Sequence, residues 1–353
     1  MEIFSARQAI ERLRVGLFDP LAVKHLTMED DSFIAPFLKG LQDLEEGKSG
    51  HLCICGSYGQ GKSHSLNYLK QQALSQGYAT SLVQLDARET PFHRFSVVYK
   101  SLMQNLSLPT GESLCEAWAT FPSEELDDMP DRFRLILQAV KKKFSHWLEE
   151  ALMGSSLPNS SLKQMLKARQ IDQNQKESLL LRGNGPYVQM VQSLGKLLHR
   201  MGHKGWVLLF DEAEAIAQGS LGSRVKSYDI LHQFFTTGKF VYPIFAFTQT
   251  FFDKVRSEEY GSETSRFPRN YAQAWDDLQI IRLQDFSLAR WEIVLDRLID
   301  LYGKAYRVDF STKQLDIKQQ MRALLEKLKA QETRFKLKAL IHQLDLVSLK
   351  AAS

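Results

Sequence analysis

Eight consecutive residues carry the clearest chemistry in this chain: Gly56-Ser57-Tyr58-Gly59-Gln60-Gly61-Lys62-Ser63, followed by His64. They match G-x-x-x-x-G-K-[ST] at every fixed position. They also sit between an apolar run, Leu52-Cys53-Ile54-Cys55, and a helix-compatible stretch that continues to Lys70. That strand-to-helix setting is what turns the pattern into a phosphate-binding loop. Glycines let successive backbone N–H groups turn inward around an anion, and the helix that follows aims its positive dipole end at the same point. Lys62 would reach the β- and γ-phosphates of a nucleotide, and the Ser63 hydroxyl would bind Mg²⁺. Further on, the apolar run Trp206 to Phe210 ends in Asp211-Glu212. A strand of this kind buries its run and presents its acids at the carboxyl edge of a parallel sheet, where ligands bind. Asp211 would hold the Mg²⁺ shell and Glu212 would polarise an attacking water. Alone, such a pair just as often caps the next helix; downstream of a phosphate loop it reads as a Walker B motif. A third candidate is Thr248, at the end of the run Phe240 to Phe247. A polar side chain there, on a strand between the two motifs, would orient the water; the alternative is a plain strand-to-helix cap.

The elements that must position these groups follow from periodicity and breakers. Helical spacing places Ala6, Ala9, Ile10 and Leu13 on one face, and further helices are expected from Leu21 to Leu26, ahead of Pro36, and between Phe33 and Leu44. Strand, helix and a second strand at Ala79 to Asp86 form a βαβ unit, which implies a parallel sheet. Thr90-Pro91 is expected to open a helix running through Val97, Val98, Tyr99 and Leu102. From about 106 to 185 the pattern is helical pieces and Pro, Gly, Ser and Asn clusters without a convincing strand, the signature of a helical insertion. Tyr187 to Arg200 is amphipathic. Pro243 is awkward in a central strand, so that strand is expected to begin there. A short strand at Leu278 to Leu283 precedes helices at Leu288 to Leu301, Ile317 to Gln331 and Phe335 to Leu349. The expected organisation is an α/β P-loop nucleotide-binding domain over 51–285, an N-terminal helical segment over 1–50 packed on it, and a C-terminal helical lid over 286–353.

Composition narrows the class. With 353 residues, 44% hydrophobic, the chain can build a substantial core, and a formal net charge of +4 permits a nucleic-acid partner without demanding one. The three cysteines form neither a disulfide framework nor a zinc set, which favours a reducing, cytoplasmic setting. No apolar run is long enough to span a bilayer. Lysines 141 to 143, with Lys163, Lys167 and Arg169, are candidates for nucleic-acid contact, although a charge run on a helix is more often a solvated face. The same holds for the basic faces of the last two helices. No N-K-x-D guanine motif follows Asp211-Glu212, so ATP is expected in preference to GTP.

The order of these features resembles the Orc/Cdc6-like group of AAA+ ATPases: P-loop, Asp-Glu strand, polar strand end, Ser265-Arg266-Phe267 before a last strand, then a helical lid. The resemblance implies that Arg266, or failing it Arg269, reaches the γ-phosphate held by a neighbouring subunit. It also implies that Arg334 in the lid reaches the nucleotide of its own subunit. A finger acting in trans would require a nucleotide-dependent homo-oligomer. The stretches Ala6 to Gly16, Gly61 to Leu66 and Thr333-Arg334 are similar to the BrxD-like ATP-binding proteins of BREX phage-defence loci. That similarity implies an Mg-ATP-dependent ATPase acting on protein partners of a defence or DNA-processing complex, with DNA as a further partner and an opening helix that helps to enclose the adenine. An alternative of a different class is a nucleotide-gated adaptor with negligible turnover that regulates a helicase, nuclease or methyltransferase. A small-molecule kinase, with the insertion as its lid, fits the Asp-Glu pair and the long helical tail less well.

Overall fold

The computed structural model describes residues 3–17, 19–27, 31–123, 125–126, 129–155, 157–171, 178–236, 238–258 and 267–352. Three helices come first: α1 (Ile3–Val15), α2 (Pro20–Leu26) and α3 (Asp31–Glu45). Strand β1 (Leu52–Cys55), helix α4 (Lys62–Ser75), strand β2 (Ala79–Gln84), helix α5 (Phe95–Gln104) and strand β3 (Leu106–Ser107) follow. The inserted helices are α6 (Leu114–Thr120), α7 (Asp131–Lys142), α8 (His146–Leu152) and α9 (Asn159–Lys167). Then come α10 (Gly185–Arg200), β4 (Trp206–Asp211), a 3₁₀ turn (Ala213–Ala217), α11 (Leu221–Thr236), β5 (Val241–Phe247), α12 (Gln249–Ser257) and α13 (Tyr271–Ala274). The chain closes with β6 (Ile280–Arg282), α14 (Leu288–Tyr306), α15 (Gln314–Lys327) and α16 (Thr333–Ala352).

The strands form one six-stranded sheet in the order β3-β2-β4-β5-β1-β6. Strands β2, β4 and β5 are parallel, with Ala79 opposite Trp206, Gln84 opposite Asp211, and Phe210 opposite Phe245. This is the α/β fold of a P-loop NTPase, with a helical insertion and C-terminal helices. Strand β5 lies between β4 and β1, so the strand ending at Thr248 intervenes between the two Walker strands. Every residue of β1 and β5, and all of β4 except Asp211, is buried, as expected of parallel strands covered on both faces.

The chain divides into two compact units. One comprises Met1–Ile34, Ile54–Leu69 and Ile281–Ser353, the other Ala35–Cys53 and Lys70–Ile280. The second holds the body of the sheet. An aromatic cluster covers one face of it: Phe210 and Phe245 stack at 4.5 Å, with Phe92, Phe95 and Phe234 around them. Truncating one such ring to alanine costs about 3–5 kcal/mol. Buried polar groups there are paired: Ser81 donates to the Leu102 carbonyl (2.8 Å) and accepts from the Trp206 indole (3.1 Å). In the insertion the buried Arg132 donates to Asn159 (2.6 Å) and to the carbonyls of Leu157 (2.7 Å) and Leu179 (3.2 Å), tying two loops to α7.

The first unit has a helical core. Helix α1 packs along α14 and α16, and Ala6, Ala9 and Ile10 share one cluster with Leu298, Leu301, Leu340, Ile341 and Leu344. Arg14 donates to Asp345 (2.7 Å) and Tyr306 (3.2 Å), pinning the end of α1 to both. Asp19 caps α2 through the N–H groups of Leu21 and Ala22, with Pro20 in the first turn, so Asp19-Pro20 starts this helix.

Several elements differ from the sequence expectation. Helix α3, by contrast, covers the stretch expected between Phe33 and Leu44, Pro36 included, because near a helix start the missing N–H removes one bond only. Helix α5 begins at Phe95, not Thr90, since residues 90–94 form a turn. The interval 106–185 does contain a strand: Leu106 and Ser107 pair antiparallel with Ser81 and Thr80, too short a run to leave a pattern. Strand β5 starts at Val241, not Pro243; Phe240 turns the chain with φ 63°, and Pro243 sits within the ladder opposite Leu208.

Candidate nucleotide site

The loop from Gly56 to Gly61 joins the end of β1 to α4. Gly59 (φ +77°) and Gly61 (φ +95°) occupy the left-handed region, which a side chain tolerates poorly. No atom outside the adjoining residues lies within 4 Å of where a Cβ on Gly61 would stand. Helix α4 begins at Lys62, so its first N–H groups adjoin the loop, the kind of helix start that suits an anion. The polar groups of the loop have partners within the chain. Lys62 is buried, and its ammonium donates to the carbonyls of Gly56 (3.0 Å) and Ser57 (3.3 Å). The Ser57 N–H donates to the Gln60 side-chain oxygen at 2.6 Å, and the Gln60 amide donates to Asp285 at 3.1 Å.

The C-terminal helices of the same unit meet this loop. A Cβ on Gly59 would fall 2.4 Å from a carboxylate oxygen of Glu332, just before α16. The Arg334 guanidinium lies 5.8 Å from the ring centre of the exposed Tyr58. Gly16, at the end of α1, approaches the same helix: a Cβ there would lie 2.5 Å from Lys338 Cε and 3.3 Å from Arg334 Cδ. His64 Nε2 shares a hydrogen bond of 2.5 Å with the Thr27 hydroxyl, and Arg297 donates to the Thr27 carbonyl at 2.6 Å. Burial pushes the His64 imidazole down to about 4, so it is neutral at physiological pH and ties the end of α2 to α4. Its contacts are structural ones.

The acidic pair belongs to the sheet unit. Asp211 ends β4, half-buried, and its side chain accepts the Glu212 N–H at 2.9 Å. Glu212 is exposed and has left-handed backbone geometry (φ 52°, ψ 38°), unfavourable for a residue with a Cβ. Thr248 occupies the cap position of α12, yet its side chain makes no capping bond; its hydroxyl pairs with that of Thr250 at 2.6 Å. Arg266 lies outside the described residues. The side chain of Arg269 is partly exposed, 3.9 Å from Asp229 and 6.0 Å from the Tyr271 ring centre.

The Ser63 hydroxyl and the Asp211 carboxylate, each in its own unit, offer oxygen atoms of the type a hard divalent cation takes. Among the described residues no group of three or more His, Cys, Asp or Glu forms a ready-made metal cage. Mg²⁺ needs none, because it is ordinarily held by one or two protein oxygens, phosphates and water.

The sequence matches the family described as BREX system ATP-binding protein BrxC/D over residues 4–126 and 161–352. The chain belongs to this family. The match reaches from α1 to α16, leaving out the part of the insertion that holds α7 and α8. Among solved structures, the Walker-type ATPase PABY2304 of Pyrococcus abyssi aligns over 84% of this chain and 76% of that one, at 14% identity and a TM-score of 0.33, a remote likeness. No curated protein matches the chain significantly. Among the described residues no helix is long and apolar enough to cross a membrane.

Three contacts of the loop were not readable in the sequence: Gln60 with Asp285, Glu332 against Gly59, and Thr27 with His64. Gln60 occupies a variable position of the motif, Asp285 and Glu332 look like ordinary surface acids, and Thr27 follows a short helix. Only the fold brings them together.

Proposed function

We propose that this chain is an Mg-ATP-dependent AAA+ ATPase that couples ATP binding and hydrolysis to action on a protein or DNA partner within a BREX-type phage-defence system. The observation that carries this reading is the loop itself: left-handed glycines, a buried lysine and the start of α4 converge on one anion site in a chain of an ATP-binding family. Lys62 leaves the Gly56 and Ser57 carbonyls for the β- and γ-phosphates, and the loop N–H groups turn to the same oxygens. Ser63 and Asp211 would hold Mg²⁺, which would supply charge neutralisation at the phosphates. Glu212 polarises the attacking water, and Thr248, whose hydroxyl is not spent on a helix cap, orients it. Arg334 reaches the nucleotide from the lid of its own chain, and Arg266 from a neighbouring copy. Each arginine suits the task because its charge is fixed and its donors are planar. Catalysis is then positioning and charge stabilisation. The test is phosphate release by purified protein with Mg-ATP, with and without DNA: release above that of Lys62→Ala is expected, and release equal to it sinks the enzyme reading.

A second reading, a nucleotide-gated adaptor, draws on a different observation. Ser57, Gln60 and Lys62 already bond within the chain, so nucleotide binding by itself must rearrange the loop and its link to Asp285. An adaptor would bind ATP normally and lose little function on Glu212→Gln.

A further inference from the structure

The helical insertion carries a surface that the nucleotide site does not use. The lysine run 141–143 is divided by the fold. Lys141 turns inward, donating to the carbonyls of Trp118 (2.9 Å) and Phe121, with its ammonium 4.4 Å from the Trp118 ring centre. Lys142 and Lys143 remain exposed, and directly after them stand two exposed aromatics, Phe144 (46%) and Trp147 (65%). The side chain of Arg169 donates to the Lys143 carbonyl at 2.9 Å, which brings the end of α9 to the end of α7. On α9, Leu162 and Leu166 are buried, and Lys163 and Lys167 are exposed one turn apart. The acids beside this corner are engaged: His146 lies 3.3 Å from Glu149 and 3.8 Å from Glu150, and Ser155 donates to Glu150 at 2.8 Å.

We propose that this corner of the insertion binds single-stranded nucleic acid. Exposed tryptophan and phenylalanine rings beside cationic side chains offer what an unpaired strand needs: π-faces for bases and positive charge for the phosphates between them. A duplex stacks its bases against each other and has no use for the rings. An acidic protein would use the charges but leave the rings without a role. Lysine adds sequence-independent affinity and a salt dependence, and stacking adds preference for unpaired bases. The inference names a partner for the ATPase proposed above, but binding at this corner does not depend on ATP turnover.

Trp147 makes the test direct, because the other four of the five tryptophans (Trp118, Trp206, Trp275 and Trp291) are buried. The full chain is titrated with fluorescein-labelled DNA and RNA single strands of about 16 nucleotides, and with the matching duplex, while anisotropy and tryptophan emission are followed. The single strands are expected to bind more tightly than the duplex and to quench tryptophan, and the DNA and RNA arms report which strand is preferred. Trp147→Ala should weaken single-strand binding on the order of tenfold. Changing Lys142, Lys143 and Lys167 together to Gln should reduce the slope of log K against log salt by about 2. Both variants change exposed residues, and unaltered thermal unfolding midpoints show that they fold. Strand binding is measured without nucleotide, so a wild-type chain that binds the strands but releases no phosphate counts against the ATPase reading alone. The inference is overturned if the duplex binds as well as the single strand and Trp147→Ala is neutral. It is also overturned if the triple variant keeps the wild-type salt slope, or if poly-glutamate binds the corner and the oligonucleotides do not.

Discussion

The phosphate loop and the acidic strand end are built on opposite terms. In the loop the polar groups are paired with their own chain: Ser57 with Gln60, Gln60 with Asp285, Lys62 with two carbonyls. At the strand end, Glu212 is exposed and held in a left-handed conformation, its N–H donating to the neighbouring Asp211 and its carbonyl accepting from the Ala215 N–H at 3.0 Å, while its carboxylate faces solvent. The loop can therefore persist unliganded at little cost, and ligand binding exchanges one set of hydrogen bonds for another. The strand end keeps an unfavourable backbone geometry, held by these two local bonds at the start of the 3₁₀ turn, of the kind that recurs at functional sites. In the proposed function the first is a binding element and the second a chemical one, and variants on either side can break or sharpen that contrast.

The largest expected effect is at the binding element. Lys62→Ala should lower nucleotide affinity on the order of 10²–10³-fold in a fluorescent-nucleotide titration, because the cation proposed to turn to the phosphates is lost. An affinity within a factor of about 2 of wild type would mean that the lysine belongs to the loop's own packing and not to the ligand. Next comes Gly59→Ala, where a Cβ meets both a positive φ and the Glu332 carboxylate. Urea unfolding should show a loss of about 1–3 kcal/mol, and an unchanged midpoint would show that Glu332 gives way freely.

His64 provides a pH-dependent effect. Its folded-state value, about 4, lies below the ordinary imidazole value of 6.5, so the unfolded chain binds more protons between those limits. Stability from this residue is complete above pH about 6.5 and is lost as pH falls toward about 4. The loss is at most about 2 kcal/mol for a half-buried ring, and His64→Gln should shrink the fall in melting temperature across that window. The smallest effect is expected at Gln60→Ala. Removing the internal competitor for the Ser57 N–H should tighten ATP binding by about 2–10-fold, and unchanged or weaker binding would show that Gln60 supports the loop instead of competing with phosphate.

The sheet and its motifs were legible in the sequence because both obey short-range rules. Gly56 to Ser63 names its own conformation, and the runs at Leu52, Ala79, Trp206 and Val241 are apolar because parallel strands are buried on both faces. What remained hidden depends on groups far apart in the chain. Nothing in the amphipathic pattern of α1 says that Ala6, Ala9 and Ile10 will pack with helices nearly three hundred residues later, since a helix face records burial but not its partner. Lys141 reads as one of three equivalent charges, and only the Trp118 and Phe121 carbonyls set it apart. The left-handed geometry of Glu212 has no signal at all, because the residue type argues against it. Pro243 was misleading for a related reason: it forfeits one ladder donor, and the buried side chains on either side hold the strand regardless.

The central claim is that ATP held at the Gly56–Ser63 loop is hydrolysed with Glu212 polarising the water. The most direct measurement compares nucleotide affinity and single-turnover phosphate release for wild type and Glu212→Gln under Mg-ATP. The account predicts wild-type affinity with release slowed on the order of 10²–10⁴-fold, as expected when a general base is removed and the binding element is left whole. Release by Glu212→Gln at the wild-type rate would contradict it.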